Sequence, residues 1–341
     1  MARSVTVPEL AQLVERVLTR HGMSQHNASI IARTCVAAER DGAAGHGLFR
    51  IAGYVSTLKS GWVDGHAVPV LEENTPASVV RVDARNGFAQ PALELAKRPA
   101  IEKARVTGTC TVAIRDSHHL AALWPDVEMF AREGLVALAF VNGISRVVPW
   151  GGRKPVYGTN PMAFAVPRQS GDPLVFDQAS SVMAYGEVRV AAQSGHELPE
   201  GVGVDRNGQP TTNPQAIVDG GALLPYGGYK GSSIAMMIEV LAAALTGGNF
   251  SFESDLSNHP GAQTPRTGEL VLLIDPQRTG AKNFARRIED LVTRLHASGQ
   301  SRLPGDRRYG NRARSSAQGI LLTDQVMQQL NAFLTDDDES R

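Results

Sequence analysis

The 341-residue chain has two cysteines, no excess of either charge and no long apolar run. Each shortage excludes a class of protein. Cys35 and Cys110 are too few for a disulfide framework or a multi-cysteine zinc site, which fits a reducing compartment. Lysine plus arginine equals aspartate plus glutamate at 34 each, so no global field draws the chain to nucleic acid or to an anionic membrane. The longest apolar segment, Ile234–Leu245, is interrupted by Glu239 and falls short of the about 20 residues that span a bilayer. The start, Met1 to Glu9, carries one basic residue and no apolar stretch of signal-peptide length. These absences predict a cytoplasmic protein with neither nucleic-acid nor membrane partners.

What is present is ordinary for a folded protein: 42% hydrophobic and 20% charged residues. The spacing of Leu10, Leu13, Val14, Val17 and Leu18 predicts an amphipathic helix over 8–22. Ser24 suits the N-cap of a second helix that Asp41-Gly42 would stop near Arg40, and a third is expected from Gly47 to Lys59. From about residue 68 short β-branched runs alternate with helices. Strands are expected at Ser78–Val82, Thr109–Ile114, Leu135–Val141, Ala163–Val166, Leu174–Phe176 and Leu270–Ile274. Helices are expected at Pro91–Ala104, Leu120–Glu133, Ser232–Leu245, Lys282–Ala297 and Asp324–Phe333, before a charged end, Asp336 to Glu339. This mixture predicts an α/β or α+β fold, without fixing strand direction. The expected organisation is an N-terminal helical subdomain over 1–65, an α/β body over 66–310, and a C-terminal strand and helix over 311–341 that return to the N-terminal part.

Several clusters can carry chemistry. In Gly45-His46-Gly47-Leu48-Phe49-Arg50, a helix that included His46 would set imidazole and guanidinium on one face, a proton donor beside a carboxylate clamp. A solvated histidine beside a surface ion pair has the same spacing. Asp116-Ser117-His118-His119-Leu120-Ala121-Ala122-Leu123-Trp124 leaves a strand and enters a helix, where free backbone N–H groups can meet a pyrophosphate. Adjacent histidines rarely point at one ion, and no neighbouring carboxylate cluster completes a site, so no metal is expected. Asp177-Gln178-Ala179 closes a strand ahead of Glu187 and reads either as a polar site or as a cap and loop. Gly227-Gly228-Tyr229-Lys230-Gly231 brings a lysine to a helix start, but Gly231 after Lys230 excludes a P-loop. The turn Arg302-Leu303-Pro304-Gly305-Asp306-Arg307-Arg308 carries three arginines suited to a 2′-phosphate, or forms a solvated basic loop. No G-x-G-x-x-G follows a strand, so a dinucleotide fold here would not be a Rossmann domain.

Taken in order, Gly45-His46-Gly47 with Arg50, Ser117-His118-His119, Gly158-Thr159-Asn160-Pro161, Asp177 through Glu187, and Gly227-Gly228-Tyr229-Lys230-Gly231 resemble the malate/L-lactate dehydrogenase family. Within it, the segments around Trp124, Gly247 to Glu253 and Arg302 to Arg308 are most similar to the Δ1-piperideine-2-carboxylate/Δ1-pyrroline-2-carboxylate reductases. The resemblance implies a non-Rossmann NAD(P)-binding fold with a mainly antiparallel seven-stranded sheet, a homodimer, NADPH as cofactor and a small cyclic imino acid as substrate. It also implies roles. His46 would donate the proton with Glu187 as its acidic partner, and Arg50 and Thr159 would hold the substrate. His119, Leu120, Ala121, Ala122, Leu123, Asp177, Gln178, Ala179, Tyr229, Lys230 and Arg302 through Arg308 (Leu303, Pro304, Gly305, Asp306 and Arg307 between them) would contact the cofactor. An open-chain 2-hydroxy acid of the malate, lactate or ureidoglycolate type is the alternative substrate. Two positions depart from the pattern: Gly45 stands where those reductases have serine, and Tyr229 where histidine is common. Glu187 as partner is expected to raise the His46 pKa.

Overall fold

A computed structural model describes residues 2–335; the charged end Asp336 to Glu339 lies outside them. Strand β1 (Ala2–Val5) leads into α1 (Val7–Arg20), capped by Thr6 and Glu9 in a reciprocal box, and α2 (Gln25–Arg40), whose N-cap is Ser24. The expected third helix begins later, as α3 (Ile51–Lys59), because Gly47 breaks the helical path with φ −93° and ψ −128°. Two single 3₁₀ turns, Ala44–His46 and Leu48–Arg50, occupy its place, and Glu39 accepts the Leu48 N–H at 3.0 Å. His46 and Arg50 therefore do not share a continuous helix.

The body follows as β2 (Val70–Leu71), β3 (Val79–Phe88), α4 (Ala89–Thr107), β4 (Thr109–His118), α5 (Trp124–Ala131), β5 (Val136–Val141), β6 (Met162–Val166) and β7 (Leu174–Gln178). Then come α6 (Tyr185–Ser194), β8 (Gly203–Val204), β9 (Pro210–Thr211), α7 (Pro214–Val218), β10 (Ala222–Leu223) and α8 (Tyr229–Ile238), which continues as a π-helical turn over Glu239–Ala244. The chain ends with β11 (Thr267–Ile274), α9 (Phe284–Ala297), α10 (Asp306–Gln318), β12 (Ile320–Thr323) and α11 (Asp324–Thr335). Helix α10 occupies the segment from Asp306 that reads as part of a basic loop in the sequence.

The main sheet has seven strands in the order β2-β3-β4-β11-β5-β6-β7. Every pair is antiparallel except β3 and β4, which are parallel and joined by α4, as a crossover requires. Ala92, Ala96, Ala100 and Ala104 repeat every four residues along α4, so a narrow alanine stripe lets the helix lie close on the sheet. Alternation along β11 sends Val271 and Leu273 into the core under α4 and α5, and Leu270 to the opposite face under α8. A separate core joins α1, α2 and α3 to Ile320, Leu322 and Leu330 from the chain's other end, where β12 pairs antiparallel with β1. The three short strands β8, β9 and β10 pack with α6 and α7 over Val188, Val202 and Ile217. No helix among the described residues is long and apolar enough to cross a membrane.

Candidate active site

One cleft of about 1030 Å³ runs between the N-terminal helices, the ends of the sheet and α6. That is the upper end of the roughly 300–1,000 Å³ usual for small-molecule and cofactor sites. His46, Arg50, His119, Leu120, Ala121, Thr159, Asp177, Gln178, Ala179, Glu187, Arg307 and Arg308 all line it. The remaining expected residues do not. Ala122 and Leu123 are buried in the core, Tyr229 and Lys230 stand exposed at the start of α8, and Leu303 is buried while Arg302 and Pro304 face solvent.

Arg50 makes no ion pair among the described residues, and its Nε, sealed from solvent, has no hydrogen-bond partner. A desolvated guanidinium with no anion of its own fits a ligand carboxylate. His46 lies close enough to feel that charge. Burial, then Arg50 and His119, push its pKa down to about 4, the reverse of the rise expected from a carboxylate partner. The correction has a plain cause: Glu187, exposed on the first turn of α6, makes no hydrogen bond or ion pair with His46.

The two adjacent histidines separate as the chain leaves the sheet, His118 being the last residue of β4 and His119 the first beyond it. His118 goes inward, with Nδ1 2.8 Å from Thr264 Oγ1 and Nε2 2.9 Å from Asn86 Oδ1, and burial holds its pKa down at about 3. His119 faces the cleft with Nε2 2.9 Å from the buried carboxylate of Asp126. Glu269, 150 residues away in the sequence, lies near as well, so two carboxylates gather at this histidine.

The turn after His119 is not an open anion site. Asp177 accepts the N–H groups of Leu123 and Trp124 at 2.8 and 3.1 Å, so the chain's own carboxylate caps α5. This cap also explains why the helix starts at Trp124 rather than Leu120. Burial raises the pKa of Asp177 despite those two bonds. The segment from Arg302 runs along the sheet edge: Val175 donates to the Pro304 carbonyl at 3.3 Å, and Arg308 donates to the Val175 carbonyl at 2.6 Å while lying 4.9 Å from the Trp124 ring centre. Asp306 accepts the Leu303 N–H at 2.8 Å, which closes the turn, and Arg307 is left exposed beside the cleft.

Thr159 is set by its neighbours. Asn160 adopts φ +37°, and its amide donates to the Ala235 carbonyl at 3.0 Å and to the buried Glu239 at 2.8 Å. Gly158 is obligatory, because a Cβ there would come within 2.5 Å of the Gly143 nitrogen. The π-helical turn beginning at Glu239 thus supports the loop that brings Thr159 to the cleft, and such turns are frequent at functional sites. Sequence reasoning missed Arg146, Arg189 and Gln263, which also line the cleft. Arg146 stacks 3.9 Å from the Tyr185 ring centre, a contact that no local pattern announces. Arg189 lies two residues past Glu187 on α6, a helix that the sequence does not announce.

A family profile described as malate/L-lactate dehydrogenase matches residues 5–331. A Delta(1)-pyrroline-2-carboxylate/Delta(1)-piperideine-2-carboxylate reductase from Pseudomonas syringae pv. tomato is 57% identical over 96% of this chain and 95% of its own. A (2R)-3-sulfolactate dehydrogenase (NADP(+)) from Chromohalobacter salexigens is 40% identical over 98% of each. The crystal structure of the delta1-piperideine-2-carboxylate reductase from Pseudomonas syringae pv. tomato superposes with a TM-score of 0.95 at 56% identity, covering 97% of this chain and 99% of that one.

Proposed function

Because the chain belongs to the malate/L-lactate dehydrogenase family, we propose that it is an NADPH-dependent reductase of cyclic imino acids, converting Δ1-piperideine-2-carboxylate and Δ1-pyrroline-2-carboxylate to L-pipecolate and L-proline. The observation that carries the reading is the uncompensated guanidinium of Arg50 beside His46 in the cleft, an anion clamp next to a proton carrier. Full-length likeness to a reductase of those imines selects the substrate class.

Arg50 binds the substrate carboxylate and the Thr159 hydroxyl orients it, so that C2 is held in one direction. NADPH, when bound, supplies the hydride that C2 receives. His46 gives a proton to the ring nitrogen, and C=N becomes CH–NH. With a pKa of about 4 the imidazole is uncharged at neutral pH in the empty cleft. A carboxylate on Arg50 offsets the guanidinium field and lets the ring take up the proton it delivers. For the cofactor, the residues that fit are His119 to Ala121, Gln178 and Ala179 along the wall, and the exposed Arg307 with Arg308 for a 2′-phosphate. Asp177, already capping α5, contributes by shaping that wall.

A homodimer belongs to the same reading. Met236, Val240 and Leu245 on α8 and its continuation, with Phe252, leave large apolar side chains exposed. Light scattering on the purified protein checks it, with a monomer as the contrary result.

The deciding experiment follows NADPH absorbance with both cyclic imines, pyruvate and oxaloacetate offered in parallel, and repeats the series with NADH. Rapid oxidation with the imines and NADPH is expected. Turnover confined to the open-chain oxoacids would move the protein to the hydroxy-acid branch.

A further inference from the structure

Behind the cleft wall, His119, Asp126 and Glu269 each bring one nitrogen or carboxylate oxygen within 4.8 Å of the others, and all three are buried. Glu269 belongs to β11 near the centre of the sheet, paired with Ile114 on one side and Val141 on the other, just after a bulge at Gly268. By alternation it shares a face with Val271 and Leu273, the face that α5 covers with Asp126. Neither oxygen of Glu269 receives a hydrogen bond, although the residue is wholly inaccessible. Asp126 has one partner, His119 Nε2.

Two ionised carboxylates at this separation in a dry core are untenable, and a proton on one of them relieves the repulsion and supplies the missing donor. Burial pushes both groups upward, Glu269 further because the Asp126 charge faces it. The other groups around the trio are Tyr54 of α3, an uncharged phenol facing Asp126, and His46 and Asp177, which both face His119. None of them brings a positive charge into the cluster, and a charged His119, which touches Asp126, would still leave Glu269 with neither counter-charge nor donor.

We propose that Asp126 and Glu269 hold one proton between them and act as positioning residues for His119. The single remaining negative charge stays on Asp126, so His119 is fixed with Nε2–H pointing inward and Nδ1 turned to the cleft. There Nδ1 is an acceptor suited to the N–H that forms on the substrate ring nitrogen. The role in turnover rests on the imine-reductase reading, whereas the shared proton does not.

Two measurements on the full-length protein separate these parts. Infrared difference spectra of the wild type against Glu269→Gln at neutral pH are expected to contain a carboxylic-acid carbonyl band, sensitive to deuterium, that the variant lacks. Nitrogen NMR of labelled histidine is expected to find the Nε2–H tautomer for His119, lost in Asp126→Asn. No acid band, or a stoichiometric metal ion in the purified protein, overturns the shared proton. In steady-state kinetics, Asp126→Asn is expected to lower kcat/KM for the imine by at least about tenfold, because a neutral amide no longer holds the His119 tautomer. Glu269→Gln, which cannot lose the proton, is expected to move the alkaline limb of the kcat/KM profile to higher pH. An unmoved limb overturns the positioning role. If no imine or oxoacid is turned over by the wild type, the functional reading and the positioning role fall together, and the infrared band still decides the proton. Should Glu269→Gln fail to fold, the deuterium shift of the wild-type band and the Asp126→Asn spectrum decide it.

Discussion

In the proposed reaction, proton supply and carboxylate binding fall to two side chains four residues apart, His46 and Arg50, that line one cleft on either side of a break at Gly47. A general acid contributes about 10²- to 10⁴-fold. His46→Ala is expected to lower kcat for the imine by that factor while the dissociation constant for NADPH, from fluorescence titration, stays within about threefold. Gly45 has no positive φ, and nothing lies within 4 Å of the position a Cβ would take. Serine there fits without strain, and its hydroxyl sits next to an imidazole that has no carboxylate holding it. Gly45→Ser is expected to raise kcat a few-fold and to shift its acid limb. An unchanged pH profile would make the glycine a neutral replacement.

Among the elements, α10 is held to the body by ion pairs. Arg312 reaches across from it to the buried Asp41 at the end of α2, with Nε–Oδ1 at 3.0 Å, and to Glu128 of α5, with Nη1–Oε1 at 2.6 Å. Arg312→Ala leaves Asp41 with Arg40 and Glu128 with Arg132 as remaining partners, and is expected to lower the free energy of unfolding by about 1.5–3 kcal/mol, measured by urea denaturation at neutral pH. The sequence hides this helix for a physical reason. Asp306 to Gln318 has no apolar stripe, so periodicity is silent and stability comes from charges far away in the chain. By contrast α1 and α2 are legible because Leu10, Leu13, Val14 and Val17 repeat on one face and Ser24 can cap only one helix. At the site the same rule holds: His46 and Arg50 are readable as neighbours, whereas Arg146 and Glu269 arrive through strand pairing and packing that no local window contains.

For the molecule as a whole, buried neutral histidine sets the response to acid. His118 has a pKa of about 3 when folded against an ordinary value of 6.5, so the unfolded chain takes up its proton first as pH falls. Its stabilising effect is complete above pH 6.5 and is lost on descent toward 3, with a slope of about 1.4 kcal/mol per pH unit. His46, down at about 4, acts with the same sign. Urea midpoints taken from pH 6.5 to 4.5 are expected to fall steadily, and less steeply in His118→Gln, where an amide keeps hydrogen bonds to Thr264 and Asn86 without titrating. The pairing of β1 with β12 bears on manufacture as well as on stability. The helices that present His46 and Arg50 leave the ribosome early, yet Ile320, Leu322 and Leu330, which complete their core, come last. At about 5–20 residues per second, the first apolar face waits roughly 15–60 s for its cover. During that interval the half-made chain exposes apolar surface of the kind chaperones bind, and the helices carrying His46 and Arg50 gain their full core only when the segment from Ile320 arrives.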